Sequence, residues 1–204
     1  MKPTHQVTKW LAACLAMALL PACGSLLEST KVPDRTFLLH PYSVSEKGES
    51  TGRGLSLEFT VIPGLDSDHM LTLGPDAELN KLAAVRWPDH LPEFLGSLLR
   101  QSLQGSGRYT KVTDKRSSAL DDCSLELEAR KFYTLIDGSG SPLRVNIAIS
   151  GHHECEGKMT PIALEADAGV SSRRAADVVA AHQAAMNQAT RSLHQQLESA
   201  ESPP

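Results

Sequence analysis

Long apolar runs, aromatic rings and clustered positive charge are all scarce in this chain. Aromatic residues make up 4% of its 204 positions, so any core has to be built mainly from aliphatic side chains, which at this length suffice for one domain. No Lys/Arg cluster interrupts a mildly acidic sequence of net charge -4. Nucleic acid is therefore a poor partner, because such affinity rests mainly on neutralising phosphates. Gly48-Glu49-Ser50-Thr51-Gly52-Arg53-Gly54 is glycine-rich but lacks the G-x-x-x-x-G-K-[ST] spacing that cradles phosphates, so the chain is not expected to hydrolyse ATP. A G-x-S-x-G nucleophile elbow is missing too. His152-His153-Glu154 is not H-E-x-x-H and reads as a polar strand end, and Asp121-Asp122 reads as a pair of solvated acids near a turn. Internal repeats and low-complexity blocks are absent. With no catalytic constellation, neither an enzyme nor a bound cofactor or metal is expected.

The apolar run that does occur is short. Trp10 to Leu20 spans eleven residues behind Lys2 and Lys9, with no acidic residue before Glu28. A bilayer core needs roughly 20 apolar residues at helical rise, so this run does not span one. A basic head, a short apolar stretch and then small residues make an export signal. Its end, Leu20-Pro21-Ala22-Cys23-Gly24-Ser25, resembles the lipobox cut by the lipoprotein signal peptidase. In that resemblance Leu20 fills the hydrophobic pocket, Ala22 precedes the cut, and Cys23 becomes the acylated first residue. Two or more acyl chains hold a protein firmly at a membrane, where one holds it only marginally. The expected organisation is a signal over 1–22, a lipidated start and tether over 23–34, one domain over 35–199 and a disordered tail over 200–204.

Of the four cysteines, Cys14 leaves with the signal and Cys23 is acylated, so Cys123 and Cys155 remain for an oxidising compartment. Cys123, Leu125, Leu127 and Ala129 alternate with Ser124, Glu126, Glu128 and Arg130, and Val145, Ile147, Ile149 and Gly151 with Asn146, Ala148 and Ser150, the period of half-buried strands. Asp137-Gly138-Ser139-Gly140-Ser141-Pro142 between them is a dense turn signal. Folding a hairpin about Ser139 sets Cys123 opposite Cys155, Leu127 opposite Gly151 and Ala129 opposite Ile149, without any shift of register. A Cys123–Cys155 disulfide follows. The competing reading takes His152, His153 and Cys155 as metal ligands, but alternation sends the two histidines to opposite faces.

Further strands are expected over 36–42, 55–61, 70–73, 79–86 and 108–112, with a short one over 161–166. Asp89 is the expected cap of a helix whose stripe is Leu91, Phe94, Leu95, Leu98, Leu99 and Leu103. Trp87 reads as a packing anchor at its start. A second helix runs over 171–199, with Val178, Val179, His182, Met186, Ala189, Leu193 and Leu197 along one side. The sum is an α/β domain: a mixed β-sheet with a long β-hairpin, covered by two principal α-helices, with one sheet face more exposed than the other.

Val85-Arg86-Trp87-Pro88-Asp89-His90-Leu91-Pro92, opening the first helix, and Ser106-Gly107-Arg108-Tyr109-Thr110-Lys111-Val112, leading to the next strand, resemble the ABC-type transport auxiliary lipoprotein family. Arg86, Trp87 and Leu91 match its helix-start motif; Gly107, Tyr109 and Val112 match its strand-entry motif. The resemblance covers most of 36–197. It implies a lipoprotein on the periplasmic side of a Gram-negative envelope, serving a transporter with a mammalian-cell-entry (MCE) domain protein and its permease and ATPase, with rings of copies in some members. Gly24 after the lipidated cysteine is compatible with the outer membrane. An alternative is an envelope lipoprotein that assists outer-membrane or peptidoglycan assembly through protein contacts. The tether of about ten residues is short for reaching through a cell wall at roughly 3.3–3.6 Å per residue.

Overall fold

The computed structural model describes residues 33–44, 50–114 and 123–201. Eight strands form one mixed sheet: β1 (Arg35–Thr36), β2 (Gly54–Val61), β3 (His69–Leu73), β4 (Leu79–Arg86), β5 (Lys111–Thr113), β6 (Cys123–Ile136), β7 (Pro142–Cys155) and β8 (Lys158–Gly169). Two helices, α1 (Leu91–Gly105) and α2 (Ala175–Glu201), complete the fold. This is the expected α/β class.

The 14-residue strand β6 organises the sheet. Along one of its edges it pairs antiparallel with β7, which pairs antiparallel with β8. Along the other edge, β2 lies parallel to its first half and β3 parallel to its last residues. Between β2 and β3 the chain steps aside through the turn Pro63–Leu65, where Pro63 has no N–H to add to a ladder. The β5 strand then extends the sheet beyond β2, and β4 followed by β1 extends it beyond β3.

The hairpin register is as the alternation predicts up to Ala129: Cys123 faces Cys155, Leu127 faces Gly151 and Ala129 faces Ile149. Beyond it the expectation of an unshifted register fails. A bulge between Ala129 and Lys131 moves the pairing by one, to Phe132 opposite Ile147. The cause is the adjacent polar pair Arg130-Lys131: an extra residue restores alternation and turns Phe132, 1% exposed, back into the core. Asp137 closes the hairpin, its Oδ1 accepting from the N–H groups of Ser139 and Ser141 at 2.8 and 2.9 Å. Those hydrogen bonds, led by that of the Ser139 hydroxyl, hold its carboxyl below the usual carboxylate range. The β7–β8 turn has two residues, Glu156 and Gly157, both at positive φ (55° and 74°), as the right-handed strand twist favours.

Both helices cover one sheet face. Trp87, 2% exposed, meets Phe94 of α1, Phe132 of β6 and His182 of α2 at ring separations of 5.4, 5.8 and 5.3 Å. All six residues of the expected α1 stripe are buried. On α2, Val178, His182, Met186, Ala189, Leu193 and Leu197 are buried, while Val179 is partly so. Alanines at 181, 185 and 189 offer little side chain, so this long helix packs closely on β7 and β8.

Several boundaries differ from expectation. Of the strand expected over 36–42 only Thr36 pairs, together with Arg35 before it, as β1; the chain beyond runs as a strap across the helices. The strand expected over 108–112 is Lys111–Thr113, because Thr51 and Arg53 hold the entry turn through the Arg108 carbonyl and the Thr110 N–H. The short strand expected over 161–166 is the 12-residue β8, which tolerates Pro161 because it lies at the sheet edge. Asp89 does not cap α1. The cap is His90, which has no side-chain cap bond, and Asp89 instead accepts from the His90 N–H at 2.8 Å. α2 starts four residues later than expected and includes Ala200 and Glu201 of the expected tail. Ser172 links to Asp177 and accepts from the Arg174 N–H ahead of its first turn.

Candidate functional site

The expected lipidation residue Cys23 lies outside the described residues, as does Asp121-Asp122. Where the described chain begins, it is tied to the fold at once. The Arg86 guanidinium bridges Asp34 at 2.6 Å and Asp68, and hydrogen bonds to those carboxylates, Asp68 first, raise its pKa. The Phe37 N–H donates to the Arg86 carbonyl at 2.9 Å, and Leu39 is 4% exposed. Gln183 of α2 then holds His40 by both backbone groups, accepting from its N–H at 2.7 Å and donating to its carbonyl at 3.0 Å. Two residues on, the Tyr42 carbonyl accepts from the Ser102 hydroxyl of α1 at 2.7 Å. A side-chain amide here does what a neighbouring strand would do, so at His40 and Tyr42 the chain crosses the helices with backbone groups paired to helix side chains. Gln196 of α2 serves the sheet edge in the same way, holding the Ala163 N–H and carbonyl at 3.2 and 2.8 Å. Sequence reasoning missed both glutamines, because a polar residue on a helix carries no sign of what it faces.

At the other end of α2 lies a buried polar cluster around the cysteine pair. Cys123 and Cys155 are joined in a disulfide, with Cα atoms 4.3 Å apart. Glu201, its side chain 3% exposed, receives the Tyr109 hydroxyl at 2.6 Å and Arg108 at 2.8 and 2.9 Å. Burial, then the Glu201 carboxylate, pushes the Tyr109 phenol well above its ordinary value. The His153 ring is 2% exposed, and its Nε2 lies 3.3 Å from Glu201 but makes no hydrogen bond. Burial lowers the His153 pKa, with Arg108 adding to the effect and Glu201 opposing it. One ligand atom each from Cys123, His153, Cys155 and Glu201 lie within 4.8 Å of one another. The fold thus separates His152 from His153, as alternation predicts, yet it gathers His153 and the expected Cys123–Cys155 pair with Glu201, which the sequence left unconnected to them. Gly107 (φ 72°), Tyr109 and Val112 of the strand-entry motif are structural here: one turns the chain and the other two are buried.

His152 faces the open side of the sheet, with Nε2 3.4 Å from Glu126. It borders a groove of about 520 Å³ lined by Glu58, Glu126, Glu128, Arg130 and Ser150 among others. The acids outnumber the cations there, so the open face is polar and mildly acidic. Among the described residues, no helix is long and apolar enough to cross a membrane.

A mixed sheet with a long hairpin, two helices on one face and a polar opposite face defines a two-layer α/β module. No protein-family model and no curated protein matches the sequence. Solved structures do match the fold. Protein XCC0632 of Xanthomonas campestris, from the family DUF330, superposes with a TM-score of 0.65 at 17% identity, over 81% of this chain and 98% of that one. A second, uncharacterized protein superposes with a TM-score of 0.62 at 12% identity, over 81% and 99%. DUF330 is the ABC-type transport auxiliary lipoprotein family. At these identities the likeness establishes a shared fold.

Proposed function

We propose that this chain is a non-enzymatic, lipid-anchored auxiliary subunit of an ABC/MCE-type transporter, serving lipid traffic between bacterial membranes and envelope integrity. The observation that carries this reading is the fold shared with a DUF330 protein over 98% of that protein's length, joined to a sequence that opens with an export signal and a lipobox-like Cys23. The strap fits the same reading. A subunit whose task is positional has to transmit the location of its anchor to its folded body, and residues 34–42 are fastened to β4, α1 and α2 by polar bonds and a buried leucine. The energy for transport comes from a separate ATPase. The partners are an MCE-domain protein with its permease, and copies of this chain in a ring, on the periplasmic side and at the outer membrane.

Expression with the native signal tests the proposal. Mass spectrometry should find Cys23 acylated, and Cys23→Ser should release the protein from the membrane fraction. Detergent-extracted protein should co-purify an MCE-domain protein. A freely soluble product with an unmodified Cys23 thiol, or repeated recovery of unrelated partners alone, overturns it.

A further inference from the structure

The buried cluster at the end of α2 contains more ligand chemistry than a disulfide uses. Cys123 and Cys155 offer two sulfurs, His153 an imidazole nitrogen and Glu201 a carboxylate oxygen, all within 4.8 Å of one another. Two sulfurs, one nitrogen and one oxygen at tetrahedral distances of roughly 2.0–2.3 Å form a four-ligand zinc site. His153 supplies an independent sign of a ligand. Its Nε2 is buried, has no hydrogen-bond partner and lies 3.3 Å from the Glu201 carboxylate. An orphaned buried polar atom is costly, and an imidazole nitrogen is an ordinary ligand of zinc. A second sign comes from Arg53, whose guanidinium donates to the Cys155 sulfur at 3.6 Å. A cation there favours the thiolate, which is the species a metal takes.

We infer that the reduced chain holds one thiophilic divalent cation of the zinc class on Cys123, Cys155, His153 and Glu201, in a state exclusive of the Cys123–Cys155 disulfide. A dithiol reductant opens the S–S bond, delivering two electrons and two protons to give two thiols while it becomes a disulfide itself. The cation then displaces one proton from each sulfur and forms two metal–sulfur bonds. Charge balance is met in both states. In both states Arg53 is offset by Glu156; in the oxidised state Glu201 is offset by Arg108, and in the metal-bound state two thiolates and Glu201 are offset by the dication and Arg108. Neutral sums of this kind are what a buried cluster requires. Loading does not require Glu201 to abandon its other partners: Arg108 bonds Oε2 and Tyr109 bonds Oε1, and a carboxylate has about four acceptor sites. The cation would tie the start of β6, the end of β7 and the end of α2 to one point. A disulfide ties only the two strands.

The test uses the full chain with Cys14→Ser and Cys23→Ser, so that Cys123 and Cys155 are its only thiols. Half is reduced with dithiothreitol and desalted without oxygen; half is left oxidised. Zinc is added and the bound metal is counted after gel filtration. The expected result is one zinc per reduced chain, with affinity at least ~100-fold above that of the oxidised chain. Cobalt should give thiolate charge-transfer and tetrahedral d–d absorption in the reduced sample alone. His153→Gln should weaken binding by at least ~10-fold while the far-ultraviolet circular dichroism stays unchanged. Reduced chain that retains no zinc, or equal retention by both halves, overturns the inference. So does a folded His153→Gln protein with undiminished affinity. Because the two halves share one sequence, misfolding of a cysteine variant cannot blur the result, and neither outcome depends on a role in transport.

Discussion

Replacing His182 by leucine should make the fold resistant to acid by a calculable amount. His182 is 0% exposed, packed between Trp87 and Phe132, and has Nε2 without a hydrogen-bond partner. Burial lowers its pKa to about 4, opposed by the bond from Nδ1 to the Val178 carbonyl. An exposed histidine in the unfolded chain titrates near 6.5. The folded value is depressed, so the ring stays neutral in the fold and takes up its proton on unfolding. Above about pH 6.5 both states are neutral and the group adds no pH dependence. Between about 6.5 and 4 the unfolded state binds more protons, so stability falls as pH falls. At pH 4.5 the loss from this group alone is about 2.5 kcal/mol, against less than about 0.1 at pH 7.5. Leucine has similar volume and nothing to titrate. The stability difference between His182→Leu and wild type should therefore shift by about 2.5 kcal/mol in the variant's favour between those pH values. His153 and His194, which burial also depresses, act in both proteins and cancel. Urea unfolding followed by fluorescence suits the assay, because Trp87 meets His182 edge to face and the other tryptophan, Trp10, lies outside the described residues. A difference that is the same at both pH values would refute the reasoning.

Three further substitutions probe the core that positions the sulfur cluster. Gly151→Ala places a Cβ 1.9 Å from the Glu126 carbonyl oxygen; backbone has to move, and thermal unfolding should show a loss of about 3 kcal/mol or more. Cys123→Ser opens a loop of sequence separation 32, which in the chain-entropy model lowers stability by about 3–4 kcal/mol in denaturant titrations under oxidising conditions. Glu201→Gln leaves Arg108 partly buried without its anionic partner, so the urea midpoint should drop by the equivalent of about 2–4 kcal/mol at neutral pH. A midpoint within error of wild type would show that the end of α2 is not held by that charge pair.

Which features could be read from the sequence follows from which ones are periodic. The hairpin and its cysteine register were legible because two alternating segments flank one turn cluster, and a single pairing puts Leu127 against Gly151 and Ala129 against Ile149. The bulge was legible in principle: Ala129-Arg130-Lys131-Phe132 breaks the alternation, and only an extra residue returns Phe132 to the core. The strap was not, since TFLLHPY has the composition of a strand and its actual partners are Gln183 and Ser102, 143 and 60 residues from their targets. The sulfur cluster was half legible. His153 and Cys155 lie two apart on a strand and share a face, but Glu201 sits among serine and proline at the chain's end, where composition argues for fraying. What places Glu201 is the length of α2: helical rise over its 27 residues, about 40 Å, carries the last turn to the end of β7, beside Arg108 and Tyr109. The core uses the helix as far as Leu197, and the four residues beyond it carry Glu201 to this contact. Removing the three residues between Leu197 and Glu201 would draw the carboxylate back by about 4.5 Å, out of reach of Tyr109, Arg108 and His153 together, while leaving Leu193 and Leu197 where the core needs them.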